Sequence, residues 1–379
     1  MKKRLITYLS YLSLLSYALS TTLVGPALSE IQNCFQVRES ELGLLFAFQS
    51  IGFVSFVLLG GYLIDRYNIK LVNVLGQLDL SLGLLILSKA EAFSTAIFGF
   101  CLVGISGALI EVSTNTTISY LYQDKRASSL NLLHVYFGPG ALIGPLFSAF
   151  LLNTGLKWQS VYLYAFILSG ITLGLFLIQR FPERVEVDKV DFSLFFKILK
   201  SRWTILLGIA IACYVGAEMG TNNWVILYME RELSAKKLSA SFFLTNFWLA
   251  MTVGRVLCVF LGKKIKEENL LFSLSISSVI FYVLFLFSFK LLSSGLFLIL
   301  LGFSFSGIFA TIIALGASRF PQALGTINGI IMTAVGIGFM LFPWLIGVLS
   351  TFSSLRGGMF LILFLLVMLS ATSYRLIRS

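Results

Sequence analysis

Residues 107–145 read GALIEVSTNTTISYLYQDKRASSLNLLHVYFGPGALIGP, two apolar runs that meet at a charged turn of Asp124, Lys125 and Arg126. Within those runs stand a carboxylate (Glu111), two amides (Asn115 and Asn131) and the only histidine of the chain, His134. An ionisable group in hydrocarbon is costly and marks a pathway or a site. In a helix, Glu111, Thr114 and Asn115 share one face, because residues three and four apart are neighbours. Asn131, His134 and Gly138 share another. Two polar faces joined by a tight turn can line one cavity.

The rest of the chain has the same character. Of 379 residues, 58% are apolar and only 12% are charged, a balance that marks an integral membrane protein. A spanning helix needs about 20 mostly apolar residues. That window finds spans near 5–29, 41–64, 70–88, 93–122, 128–153, 159–180, 203–229, 239–262, 269–289, 292–318, 322–350 and 355–376. The expected fold is an all-α membrane protein of twelve transmembrane helices in two pseudo-symmetric six-helix bundles, 1–180 and 203–379. The charged stretch FPERVEVDKVDFSLFFKILKS, inside 181–202, is the linker. Two halves of equal size joined in this way are the layout of a duplicated transporter.

The Met-Lys-Lys-Arg start could open a secretory signal, but no small-residue cleavage site follows and Pro26 ends the run, so it reads as an uncleaved first span. Lys and Arg are more than twice as numerous in loops on the N-terminal side as on the other. The positive-inside rule then puts both termini of a multi-pass cytoplasmic (inner) membrane protein in the cytoplasm. That bias accounts for the net charge of +11 with no nucleic-acid partner. Cys34, Cys101, Cys213 and Cys258 have neither metal nor disulfide spacing.

Depth follows from a rise of about 1.5 Å per residue. Glu111 lies about 16 Å from the end of span 4, close to the midplane, Asn115 about 10 Å from that end, and His134 about 9 Å into span 5. A carboxylate and an imidazole so placed could pass a proton, be bridged by substrate, or only tie two helices together. Span 1 is polar along one side (Ser10, Ser13, Ser16, Ser20, Thr21), and a cavity role for Ser20 or Thr22 stands beside simple backbone bonding. Asp79, near the middle of span 3, reads first as structural and second as another titrating site. Span 7 carries CYVGAEMGTNNWVILYMERE over 213–232. There Glu218, Asn222 and Asn223, with Trp224 beside them, suit a hydroxylated solute, since rings stack on C–H faces while amides bond hydroxyls. Trp224 and Tyr228 could equally belong to an interfacial aromatic belt. In span 8, Arg255 either snorkels to headgroups or joins a gate or cavity ion pair.

Two resemblances follow from these stretches. GGYLIDRYNIK (60–70) resembles the G-x-x-x-D-R-x-G-[RK]-[RK] loop of the major facilitator superfamily, with Asn68 and Ile69 in place of the usual Gly and base. The resemblance implies that Asp65, with Arg66, latches a cytoplasmic gate against the start of span 11, where a helix N-terminus favours an anion. E-x-x-x-N from Glu111 to Asn115, followed by Leu130-Asn131-Leu132-Leu133-His134 through Gly138, Gly140 and Pro145, resembles the fucose–galactose–glucose:proton symporter family, which includes fucose permeases and sodium-dependent glucose transporter-like proteins. It implies proton coupling at Glu111. The family's aspartate near the end of helix 1 falls at Thr22, which is no carboxylate, so proton and sodium both stay open. Gly216-Ala217-Glu218 with Trp224 and Tyr228 resembles the same family's helix 7.

No nucleotide-binding loop, metal cluster or nucleophile–base pair is visible, which argues against an enzyme. The expectation is a secondary active transporter that moves a small polar solute, a sugar by the resemblance, by alternating access. It needs no cofactor beyond a proton or sodium gradient, and its partners are the solute and the lipid bilayer, with the chain a monomer. Glu111 and His134 are the coupling candidates. Asn115, Asn131, Glu218, Asn222, Asn223, Trp224, Trp248 and Asn328 are the solute candidates, and Asp65, Arg66 and Arg255 the gating ones. The Phe content (36) and the missing carboxylate on span 1 leave a second reading, efflux of amphipathic compounds such as drugs or a siderophore.

Overall fold

The computed structural model of the protein describes residues 2–122, 126–178, 198–261, 265–320 and 324–378. Hydrocarbon offers the backbone no hydrogen-bond partner, so each apolar run closes its own bonds as a helix. Span 1 is a bent pair, α1 (Lys2–Thr22) and α2 (Val24–Phe35), turning by 40°. Pro26 lies in the first turn of α2, where its missing N–H is tolerated. Then follow α3 (Glu39–Arg66), α4 (Ile69–Ser88) and α5 (Phe93–Leu121). Span 5 is broken at Tyr136 into α6 (Arg126–Val135) and α7 (Phe137–Asn153), and α8 (Trp158–Ile178) is span 6. The second half has α9 (Arg202–Glu232), α10 (Lys237–Leu261) and α11 (Glu267–Leu286). Span 10 breaks into α12 (Leu291–Phe305) and α13 (Ile308–Arg319), and α14 (Leu324–Phe352) and α15 (Leu355–Ile377) close the chain. Among the described residues eleven stretches are long and apolar enough to cross a membrane, and the bent first pair makes twelve. No strand occurs among the described residues.

The departure from the superfamily loop at Asn68 has a local cause. Its side chain caps α4, accepting the Leu71 N–H at 2.7 Å, and asparagine is among the best residues for that task.

The chain forms two compact units. One is Met1–Arg38 with Leu44–Val187, the other Asp188–Ser379 with the first five residues of α3, Glu39–Gly43. Division at a linker alone puts those five residues in the first bundle; their side chains and backbone attach them to the second. Glu39 is ion-paired with Arg231, the Ser40 N–H donates to Thr351 Oγ1 at 3.0 Å, and Gly43 rests on Trp344. Most of the linker, 179–197, lies outside the described residues.

Each unit uses the same pairings. In the first, span 1 packs on spans 4, 5 and 6, and span 3 on spans 4 and 6; in the second, span 7 packs on spans 10, 11 and 12, and span 9 on spans 10 and 12. Spans 2 and 4 meet through two glycines: Gly52 lies against the Cys101 carbonyl, and Gly104 against the Gln49 carbonyl. Spans 8 and 10 repeat the device with Gly302 against the Phe247 carbonyl and Gly254 against Ser306. Small residues let helix backbones touch where no hydrophobic force holds helices together in lipid.

The close approach makes a prediction. Gly104→Leu would drive a side chain into the α3 backbone and should destabilise by about 1–3 kcal/mol or more, whereas Gly170→Leu on α8, where an added Cβ meets nothing within 4 Å, should be tolerated. Thermal melts of the two detergent-purified variants check it: equal midpoints would reject the contact.

Candidate functional site

In the first unit the candidate site is built on α5. Glu111 stands one turn beyond the middle of that helix, half-buried, with Tyr17 of α1 as its electrostatic neighbour. Tyr17 reaches it because Gly107, one turn earlier on α5, carries no side chain: the phenol end of Tyr17 lies directly on it. The amides nearby bond across helices through their nitrogens, while the Asn73 and Gln77 side-chain oxygens are buried without a hydrogen-bond partner. Gln77 of α4 donates to Ser13 Oγ of α1, and Asn73 donates to Ser113 Oγ at 2.9 Å. Thr114 Oγ1 bonds back to the Ile110 carbonyl at 2.7 Å. Among the described residues no cation is paired with the Glu111 carboxylate, and no ion pair joins it to His134.

His134 is the last residue but one of α6, half-buried, at the break in span 5. The residue at the break, Tyr136, stacks on Tyr11 of α1 with centroids 4.2 Å apart and planes at 13°. Asn115 is half-buried one turn beyond Glu111. The side chains of Asn131, Asn328 and Asp65 lie outside what is described, although all three residues are helical. Arg66 donates to the Tyr62 hydroxyl at 2.8 Å on the exposed side of α3.

Thr22 is placed by packing. Its Oγ1 bonds the Ala18 carbonyl at 3.0 Å and the Gly140 carbonyl at 3.5 Å, and its side chain fills the gap over Gly144. A carboxylate there would press on the α7 backbone, so the absence of one at 22 and the glycines at 140 and 144 are a single fact. Ser20 is buried and bonded to the Ser16 carbonyl at 2.8 Å. Asp79 sits beside Cys101 of α5, with one carboxylate oxygen buried and unbonded.

In the second unit the site is α9, which α10, α13, α14 and α15 surround, so residues all along its length are buried. Asn222 donates to Asn223 Oδ1 at 2.9 Å and accepts Trp248 Nε1–H at 3.1 Å, and all three are nearly inaccessible. One turn along, Glu218 is buried with Tyr214 and Arg255 as its electrostatic partners. Trp224 is fully buried with its N–H on the Pro343 carbonyl at 2.9 Å, which braces α9 to α14. Tyr228 is not in an interfacial belt. It is fully buried, bonded to the Leu286 carbonyl at 3.3 Å, because the central position of α9 leaves it no lipid-facing side.

Sequence reasoning missed Tyr17 and Tyr214. The available signal was a glycine or carboxylate one turn away on a polar face: Gly107 before Glu111, and Glu218 after Tyr214.

Comparison with known proteins adds the following. The family model described as Major Facilitator Superfamily matches residues 10–343. A protein TsgA homolog of Buchnera aphidicola subsp. Schizaphis graminum is 28% identical over 316 residues, 82% of this chain and 80% of the relative. Among solved structures, the nucleoside transporter NupG superposes with a TM-score of 0.77 at 14% identity, over 99% of this chain and 98% of its own. The E. coli fucose:proton symporter FucP superposes at 0.67 and 17% identity, over 99% of both chains.

Two substitutions test the geometry. Asn222→Leu strands the Trp248 N–H and should destabilise the protein by about 1–3 kcal/mol, read as a lowered melting midpoint that Asn222→Gln partly restores. Thr22→Val keeps the packing over Gly144 and should change stability by less than about 1 kcal/mol with solute flux intact; loss of flux would move Thr22 from the packing to the transport machinery.

Proposed function

The chain belongs to the Major Facilitator Superfamily, and from that premise we propose that it carries a small hydroxylated solute, of the sugar class, across the cytoplasmic membrane by alternating access of its two bundles, driven by a proton gradient. It is a multi-pass membrane transporter. The observation that supports the solute class is the buried array on α9 and α10, where Glu218, Asn222, Asn223 and Trp248 stand among apolar residues. Amides and an indole N–H are the groups that bond hydroxyls, and an aromatic ring stacks on a sugar's C–H face. The solved neighbours act on a nucleoside and on fucose by their descriptions, and both ligands carry hydroxyl-bearing rings. In this reading both termini are cytoplasmic and the chain acts as a monomer.

Coupling is assigned to Glu111. It lies near the middle of a spanning helix beside a phenol and without a cationic partner among the described residues, so proton uptake is the way its charge is neutralised. Thr22 cannot share that role, and His134 is the second candidate for it. Sodium as the coupling ion and efflux of amphipathic compounds are the competing readings. Both make opposite predictions for flux: sodium-driven uptake ignores a pH gradient, and an exporter changes drug resistance instead of sugar accumulation.

The decisive measurement uses proteoliposomes. A proton gradient should drive accumulation of a labelled sugar in the wild type. Glu111→Gln should abolish that accumulation while leaving equilibrium exchange in place. If the variant still concentrates solute under the gradient, Glu111 is not the coupling group.

A further inference from the structure

Arg255 is a cation within the bundle whose carboxylate neighbour, Glu218, is not in ion-pair contact with it. It stands six residues before the end of α10, about 9 Å from Leu261. A snorkelling arginine would extend toward that nearer end. This one runs the other way: its Nη2 lies 3.4 Å from Met251 Sδ, one turn back along the helix, and Tyr214 on α9 is among its electrostatic neighbours. The Tyr214 ring is fixed from behind by Phe305, 5.5 Å away edge-on, and by Phe309. Tyr214 and Glu218, one turn apart on α9, both interact electrostatically with Arg255. Among the described residues no direct ion pair joins Arg255 to Glu218 or to any other carboxylate.

A guanidinium has five N–H donors in a planar fork. Here the partner at hydrogen-bond distance is one thioether, a weak acceptor, with the Tyr214 hydroxyl and the Glu218 carboxylate as electrostatic neighbours. Arginine within a membrane is ordinarily paired with a carboxylate or with backbone carbonyls, and its fork matches a carboxylate through two parallel hydrogen bonds. Arg255 is also only half-buried. About one and two turns further along α9 from Tyr214 come Glu218 and then the Asn222–Trp248 pair. On α10, Arg255 lies two turns from Trp248, which bonds Asn222 across to α9.

We propose that the C-terminal unit recognises a monoanionic hydroxy acid, with the solute carboxylate on Arg255 and its hydroxyls on Asn222, Asn223 and Trp248. The proposal rests on the hydroxylated-solute reading and narrows it to sugar acids over neutral sugars. Glu218 sets the charge limit: a second negative charge on the ligand would face that carboxylate. An anionic lipid headgroup has the same chemistry as the solute carboxylate and is the rival source.

D-galacturonate and D-galactose make the test, because they differ only in a carboxylate for a hydroxymethyl group. Binding is measured by calorimetry on the purified protein in nanodiscs of zwitterionic lipid, and repeated in nanodiscs of phosphatidylglycerol. The expected result is galacturonate binding tighter than galactose in both lipids, weakened at least about thirtyfold by Arg255→Gln, partly recovered in Arg255→Lys, and with galactose affinity reduced far less than galacturonate affinity in both variants. Melting midpoints of the variants confirm folding, and competition by galacturonate against labelled galactose gives a second readout. Equal affinity for both sugars, insensitive to Arg255→Gln, overturns the anion site and leaves a neutral-sugar transporter standing. Stabilisation by phosphatidylglycerol that galacturonate cannot reproduce assigns Arg255 to lipid and also overturns it. Binding of neither sugar in any lipid removes both this inference and the solute class on which it rests.

Discussion

A polar group in hydrocarbon must find its partner inside the bundle, and the rest of this structure depends on how that demand is met. Most buried hydroxyls bond the carbonyl one turn behind them, as Ser10, Ser20 and Thr114 do. The amides reach across to another helix, Asn73 to Ser113 and Gln77 to Ser13. Such bonds contribute about 0.6 kcal/mol each on average. Their larger effect is on register, because a helix that slides or rotates leaves the amide unbonded. Several neutral atoms, such as Ser50 Oγ and the Tyr162 hydroxyl, are buried without a hydrogen-bond partner, and three charged groups stand apart from the scheme: Glu111 beside a phenol, Asp79 beside a thiol, and Arg255 beside a thioether. Packing alone does not require them, and that makes them informative about transport.

The architecture was legible because hydropathy is a local property. Twelve apolar windows predict twelve spans, and the observed helices begin and end within a few residues of them. The breaks at Tyr136 and Ser306 were not picked out, because each falls inside a run that satisfies a hydropathy window, although Pro139 stands three residues after the first and Gly307 directly after the second. The attachment of Glu39–Gly43 to the second unit was equally hidden, because it depends on Arg231, Thr351 and Trp344, far away in the sequence.

For the site, a polar residue in an apolar run announces itself, which is why Glu111, Glu218, Asn222 and Asn223 stood out. Tyrosine does not, being common both in cores and in interfacial belts, and so Tyr17 and Tyr214 were passed over while Tyr228 was open to a belt reading. Thr22 shows a subtler limit. Its sequence position suggested a missing coupling carboxylate, but its meaning lies in Gly140 and Gly144 on another span. A substitution on one helix is interpretable only with the surface it touches.

The reciprocal glycines between spans 2 and 4 and between spans 8 and 10 have a consequence for how such a chain can change. Each of those four positions faces backbone or a short side chain on its neighbour, so a larger residue cannot be absorbed by a rotamer shift nearby. The lipid-facing positions, such as Leu78, Ile171, Val256 and Phe364, are exposed and can exchange among apolar residues at little cost. Drift is thereby channelled to the outside of the bundle. Two chains of this kind can share few residues and still superpose, because the seams where helices touch are held to small side chains while the painted surface is free to vary.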